Sequence, residues 1–215
     1  MPFSQKFQIA VLALSFFVLF SNIALANEGT KEFDVYIYQE GSFNILELEL
    51  AKENSLEAEQ YGVSNTFTVY IYGKYNKVEQ LQEGAFHFGL ITISGDTNEV
   101  LQKQIGASNN GVIAISGSDN RINVLQDGTL NDSLVSIFGF NNVLLVEQFG
   151  ELNQATSTIN GKNNVLRQHQ NGVLNISIIE ISGDNNTFVN EQRGAFRMYS
   201  IRHVGDGAFI RLVQN

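Results

Sequence analysis

Side-chain carboxamides recur along this 215-residue chain at a fixed interval, and a carboxamide both donates and accepts hydrogen bonds. Glutamine stands at Gln39, Gln60, Gln82, Gln104, Gln126, Gln148, Gln170, Gln192 and Gln214, a first step of 21 residues and then seven of 22. Asparagine stands at Asn65, Asn76, Asn98, Asn109, Asn120, Asn131, Asn142, Asn153, Asn164, Asn175 and Asn186. Stacked side by side, each amide can donate to the oxygen of the next. A column of them satisfies its own buried polar groups and locks neighbouring copies in register. This is chemistry of assembly rather than of turnover.

Groups suited to turnover are scattered. His87, His169 and His203 fall in different columns of different repeats, with no carboxylate or second histidine at ligand-like spacing. The chain has no Cys, so neither a disulfide framework nor a thiolate metal site is available. Glu47 and Glu49 alternate on an outward strand face, where a solvated charge is the ordinary reading. The expectation is a chain without catalytic residues, metal, cofactor or small-molecule substrate. A net charge of −9 supplies no general basic field for phosphates, which argues against nucleic acid as a partner.

The elements that must carry these columns follow from periodicity. Gln-x-Gly-x-x-Asn occurs at Gln126–Asn131 and again at Gln148–Asn153, with Ile137-x-Gly139-x-x-Asn142 between them. Before each phrase, residues alternate with period two: Ile122, Val124, Gln126, then Ser133, Val135, Ile137. Period two is a strand, here of about six residues. Glycine at Gly62, Gly73, Gly84, Gly95, Gly106, Gly117, Gly128, Gly139, Gly150, Gly161, Gly172, Gly183, Gly194 and Gly205 supplies turns, and the asparagine after it tolerates a left-handed backbone. Each 22-residue unit therefore reads strand, turn, strand, turn. One such unit cannot bury a face alone, but a stack of them can. The fold expected is all-β: a two-sheet parallel β-solenoid over residues 33–215, about eight and a half rungs, roughly 40 Å long at about 4.8 Å per rung. One sheet would carry inward glutamines. The other would carry Ile71, Ile93, Ile115, Ile137, Ile159 and Ile181. A one-residue deletion near Ala51 interrupts the period.

Residues 1–26 differ from the rest. Lys6 precedes an apolar run from Ile9 to Phe20, and Ala24–Ala26 form a small-x-small site. This reads as a secretory signal peptide cleaved after Ala26, followed by a short lead over residues 27–32. The ends of the array carry opposite charge. Residues 27–62 hold Glu28, Glu32, Asp34, Glu40, Glu47, Glu49, Glu53, Glu57 and Glu59 against Lys31 and Lys52. Residues 187–215 hold Arg193, Arg197, Arg202 and Arg211 against Glu191 and Asp206. No capping segment is evident at either end, so both ends read as templates for another copy, with complementary charge. Outward Tyr36, Tyr38, Tyr70, Tyr72, Phe138, Phe149 and Phe196 suit lateral bundling. Asp96, Asp127, Asp184 and Asp206, at or beside turns, suit a gatekeeper role against premature aggregation.

The repeated Gln-x-Gly-x-x-Asn phrase in a 22-residue unit, in a Cys-free chain with a leader, resembles the curlin repeat of bacterial curli subunits. The resemblance covers essentially the whole array. It implies a secreted subunit of functional amyloid fibres at the bacterial cell surface, serving biofilm matrix and adhesion. The partners it implies are further copies, other curlin subunits and the curli outer-membrane secretion apparatus. Two departures stand out: the second arm carries isoleucine where the family usually has glutamine, and the array is longer than usual. The irregular, arginine-bearing last rung, with Arg197 at an asparagine position and His203 at an isoleucine position, is similar to the minor, nucleating subunit. A major fibre subunit and a monomeric, capped β-solenoid adhesin remain the alternatives.

Overall fold

The computed structural model of the chain describes residues 19–25, 34–51 and 53–215. Its ordered elements are strands: β1 Leu19–Leu25, β2 Asp34–Ser42, β3 Ile45–Leu50, β4 Ser55–Val63, β5 Thr66–Tyr72, β6 Lys77–Ala85, β7 Phe88–Ser94, β8 Glu99–Ala107 and β9 Asn110–Ser118. They continue as β10 Arg121–Thr129, β11 Asp132–Phe140, β12 Val143–Glu151, β13 Gln154–Lys162, β14 Val165–Val173, β15 Ile176–Ser182, β16 Thr187–Ala195, β17 Met198–Val204 and β18 Phe209–Gln214. Odd strands form one nine-stranded sheet and even strands another, each in sequential order. Pairing within each sheet is parallel and joins equivalent positions of successive repeats. Gln126 lies between Gln104 and Gln148, and Ile137 between Ile115 and Ile159. A rung is an even strand and the odd strand after it. Eight rungs run from β2–β3 to β16–β17, and β18 adds a further half, the parallel solenoid that the period requires.

Alternation sends every second side chain between the sheets. Ile122, Val124, Val135, Ile137, Leu144 and Val146 are among the residues buried there. Each such aliphatic side chain contributes about 1.5–3 kcal/mol on burial. The strands are longer than alternation indicates, because pairing continues past the inward glutamine. In β10 it runs through Gly128 to Thr129, opposite Gly150 and Glu151. Gly128 has φ 133°, and a Cβ there would collide with the carbonyl oxygen of Gly150 in the next rung. Both the backbone conformation and the close rung-to-rung approach demand glycine.

The turn asparagines do not take the left-handed conformation expected of them. The residue before each one does: φ is 57° at Leu130 before Asn131 and 54° at Asn141 before Asn142. The chain reverses one residue early, which leaves the asparagine side chain facing inward. For a residue with a Cβ this conformation costs roughly 1–2 kcal/mol.

Two features break the regularity. Between Leu50 and Asn54 the turn is one residue short and lacks glycine, yet Asn54 still donates to the carbonyls of Ala51 (2.8 Å) and Gly73 (2.9 Å). β1 also pairs in parallel with β3, Leu19 against Ile45 and Leu25 against Leu50, with a register shift between Phe20 and Ile23. It lies within the segment expected to be the leader. The rest of that leader, and the lead over residues 27–32, fall outside the described residues.

Candidate functional site

The glutamine column is a ladder with one direction. Each Nε2 donates to the Oε1 of the glutamine in the next rung: 2.8 Å from Gln60 to Gln82, 2.9 Å from Gln104 to Gln126, 3.0 Å from Gln126 to Gln148 and 3.0 Å from Gln192 to Gln214. Gln39 donates to Gln60 in the same sense, and Gln82, Gln148 and Gln170 continue the series. The second amide hydrogen crosses to the facing sheet, as from Gln126 to the carbonyl of Asn110 at 2.8 Å. Both sheets are thereby tied at the same edge. The ladder ends unsatisfied. Gln39 is buried with an Oε1 that has no partner, and Gln214 Nε2 reaches the Met198 carbonyl at 3.4 Å.

The asparagines form two ladders, one at each turn edge. After the even strands stand Asn44, Asn65, His87, Asn109, Asn131, Asn153, Asn175 and Arg197. After the odd strands stand Asn54, Asn76, Asn98, Asn120, Asn142, Asn164, Asn186 and Ala208. Asn142 is representative. Its backbone N–H and Nδ2 donate to Asn120 Oδ1 (3.0 and 3.1 Å), its Nδ2 donates to the Gly161 carbonyl (2.9 Å), and its Oδ1 accepts the Asn164 N–H (2.9 Å). One side chain thus binds three rungs. Asn44 and Asn54 belong to these ladders, accepting from the N–H of Asn65 and Asn76, and sequence reading missed both. Their signal was present: each precedes an alternating run. The shortened turn hid Asn54, and no earlier repeat flagged Asn44.

His87 replaces an asparagine and reproduces its bonding. Nδ1 accepts the Asn109 N–H at 3.3 Å, and Nε2 donates to the Glu83 carbonyl at 3.1 Å. This requires the neutral ring, and burial pushes its pKa below the ordinary imidazole value. His169 lies half-buried with Nδ1 3.2 Å from Glu147 Oε2. Sequence spacing had shown it no carboxylate. The two are 22 residues apart, which stacking turns into direct neighbours. His203 stacks on Ile181 at the end of the isoleucine column, with its ring 5.4 Å from that of Phe188. No group of three or more metal-ligating side chains occurs among the described residues.

The aspartates stitch turns together: Asp96 accepts the Lys74 N–H, Asp184 that of Lys162 and Asp206 that of Asp184. The arginines of the last rungs are partly engaged within the chain. Arg193 and Arg211 lie near Glu191 (3.7 and 3.3 Å), Arg202 near Glu180 (3.5 Å), and Arg197 donates to the Asn215 carbonyl at 2.6 Å. At the acidic end, Tyr61 is pushed up to about 12 by burial and by Glu59, and its ring lies 5.2 Å from that of Tyr38.

Inside the solenoid a second polar column runs two residues before the ladder. It holds Gln80 and Gln102 in adjacent rungs, then Val124 and Val146, then Gln168 and Asn190. Gln168 and Asn190 bond to Ser177, and Gln168 also to Ser157. Gln80 and Gln102 are buried with both carboxamide atoms unpartnered.

A family model described as the curlin associated repeat matches residues 117–150, the stretch from the end of β9 through most of β12. No curated protein matches the chain. The matched stretch holds the Gln126–Gln148 bond and the Asn120–Asn142 and Asn131 ladder positions.

Proposed function

We propose that the chain is a structural subunit of curli-type extracellular amyloid fibres, acting by self-association and not by catalysis. One observation carries this reading. Successive rungs in the middle of the array present the same glutamine and asparagine donor and acceptor set to one another, with the glutamine ladder running in one direction, so a rung from another copy can make the contacts that a rung of the same chain makes. The buried, unpartnered Oε1 of Gln39 and the weakly held Nε2 of Gln214 are complementary halves of one such contact. The match to the curlin associated repeat supports the same assignment. So does the acidic-to-basic polarity, although ion pairs within the chain already engage part of the arginine charge. The irregular last rung, with Arg197 and His203 in column positions, favours a minor, nucleating role over that of the bulk fibre former.

The test is assembly of residues 27–215 from denaturant, followed by thioflavin fluorescence and fibre diffraction. Fibres with a meridional spacing near 4.8 Å are expected. Substoichiometric addition to a major curlin should shorten its lag. A stable soluble monomer would overturn the fibre reading in favour of a capped solenoid adhesin.

A further inference from the structure

The two turn edges share one backbone conformation and differ in the side chains that bear it. On the edge after the odd strands, the left-handed residues are Tyr75, Thr97, Asp119, Asn141, Asn163, Asn185 and Gly207, preceded by Glu53 in the short turn. Asparagine, aspartate and glycine tolerate that conformation best. The edge after the even strands places Phe43, Ser64, Phe86, Ser108, Leu130, Leu152, Leu174 and Phe196 there. Six of those eight are bulky apolar residues in a conformation that disfavours them, and their side chains are exposed, from 38% at Leu174 to 77% at Phe196. The opposite edge takes the same left-handed conformation with asparagine at Asn141, Asn163 and Asn185, so the conformation itself does not require leucine or phenylalanine.

We infer that this Phe/Leu edge is a lateral interface on which a second copy of the chain lies antiparallel, edge against edge. This extends the assembly reading above and rests on it. Three observations select the occupant. The stripe repeats once per rung over the full height of the array, and the surface that matches such a period is another solenoid of the same pitch. An antiparallel pairing sets Phe43 against the partner's Phe196, Ser64 against the partner's Leu174, Phe86 against the partner's Leu152 and Ser108 against the partner's Leu130, so each small residue meets a large one. A parallel pairing would set serine on serine. Charge agrees: the column bordering the stripe runs Glu40, Tyr61, Glu83, Ile105, Asp127, Phe149, Asn171, Arg193, and Arg197 sits beside its last rung. Antiparallel copies bring the acidic end of one to the basic end of the other, as a two-fold contact requires. The same acids oppose an anionic lipid surface as the occupant.

The edge is about 40 Å long and about 10 Å wide, roughly 400 Å² per copy, which is less than a stable dimer needs. Single copies should pair weakly. Stacked copies present a continuous ridge whose contacts add. Lateral pairing therefore follows fibre growth and sets filament width.

Two variants test this. F86N/L130N/L152N/L174N gives this edge the residues that the other edge already tolerates, so the fold and the 4.8 Å spacing should persist. Mass per length measured by electron microscopy should fall about two-fold. Equal mass per length in wild type and variant would overturn the lateral interface while leaving assembly intact. Failure of the wild type to form fibres would instead sink the assembly reading and the pairing of stacks with it. Because the chain has no native Cys, orientation is readable by oxidative crosslinking: S64C fibres mixed laterally with L174C fibres should crosslink between unlike copies. Crosslinking of S64C to itself in the absence of L174C would overturn the antiparallel arrangement.

Discussion

Gln82 and Gln80 lie on the same strand, two residues apart, both buried and both stacked on a glutamine of the next rung. Gln82 donates to Gln104 and to the Thr66 carbonyl, and accepts from Gln60. Gln80 and its neighbour Gln102 have no hydrogen-bond partner. The ladder column continues above and below Gln82 and faces a backbone carbonyl of the opposite sheet. The Gln80 column is bounded by Ala58 and Val124 and faces Gly89 and Gly111, whose missing side chains make the room that the Gln102 carboxamide fills. The same residue type is therefore a fastener in one column and a polar load in the other. What decides is the continuity of the column and the presence of an acceptor across the sheets, since an unpaired buried amide costs what a paired one recovers.

The largest effect should come from breaking the ladder mid-array. Gln126→Met keeps the length of the side chain but removes the bonds to Gln104, Gln148 and the Asn110 carbonyl. It should cost about 3 kcal/mol. With no Trp in the chain, far-ultraviolet circular dichroism against denaturant reads the midpoint. A shift below a third of that would place the strength of the array elsewhere. The same chemistry in the other column should act with opposite sign: Q80M/Q102M removes two orphan amides and should raise stability by about 2 kcal/mol. A loss instead would show that those amides are satisfied in solution.

His87 offers a smaller, pH-dependent version of the comparison. Its pKa is lowered in the fold, so the unfolded chain binds the extra proton. The stability it permits is complete above the ordinary imidazole value of 6.5 and declines as pH falls below it. Wild type should lose up to about 1 kcal/mol between pH 7 and pH 5.5 through this group. His87→Asn restores the ladder residue and should remove that part of the slope. Identical pH profiles for the two proteins would show that His87 does not titrate in this way.

Much of the architecture was legible in the chain, because parallel in-register stacking converts a period of 22 into vertical columns. Residues that repeat along the sequence must touch in space, so the period was enough to identify the two sheets, the eight and a half rungs, and the glutamine and isoleucine columns. The positive φ at Gly128, likewise, follows from glycine recurring once per arm, but the close approach of Gly150 to it came only from the structure. The period says nothing about directions perpendicular to it. Which side chains face each other between the sheets, as Gln102 faces Gly111, depends on sheet separation. That the chain reverses at Leu130 rather than Asn131 depends on turn geometry. That His169 meets Glu147 depends on their being neighbours across rungs and pointing the same way, a relation that local spacing does not display. Asn54 keeps its ladder place although its turn lost a residue, because its bonds to the Ala51 and Gly73 carbonyls and from the Asn76 N–H outweigh one turn's geometry. The sequence by itself determined the columns, since repetition along the chain is repetition along the stack. Only the tertiary structure decided which columns are satisfied and which turn edge is left apolar, since those are set by distances across the solenoid and by the sign of φ at a single residue.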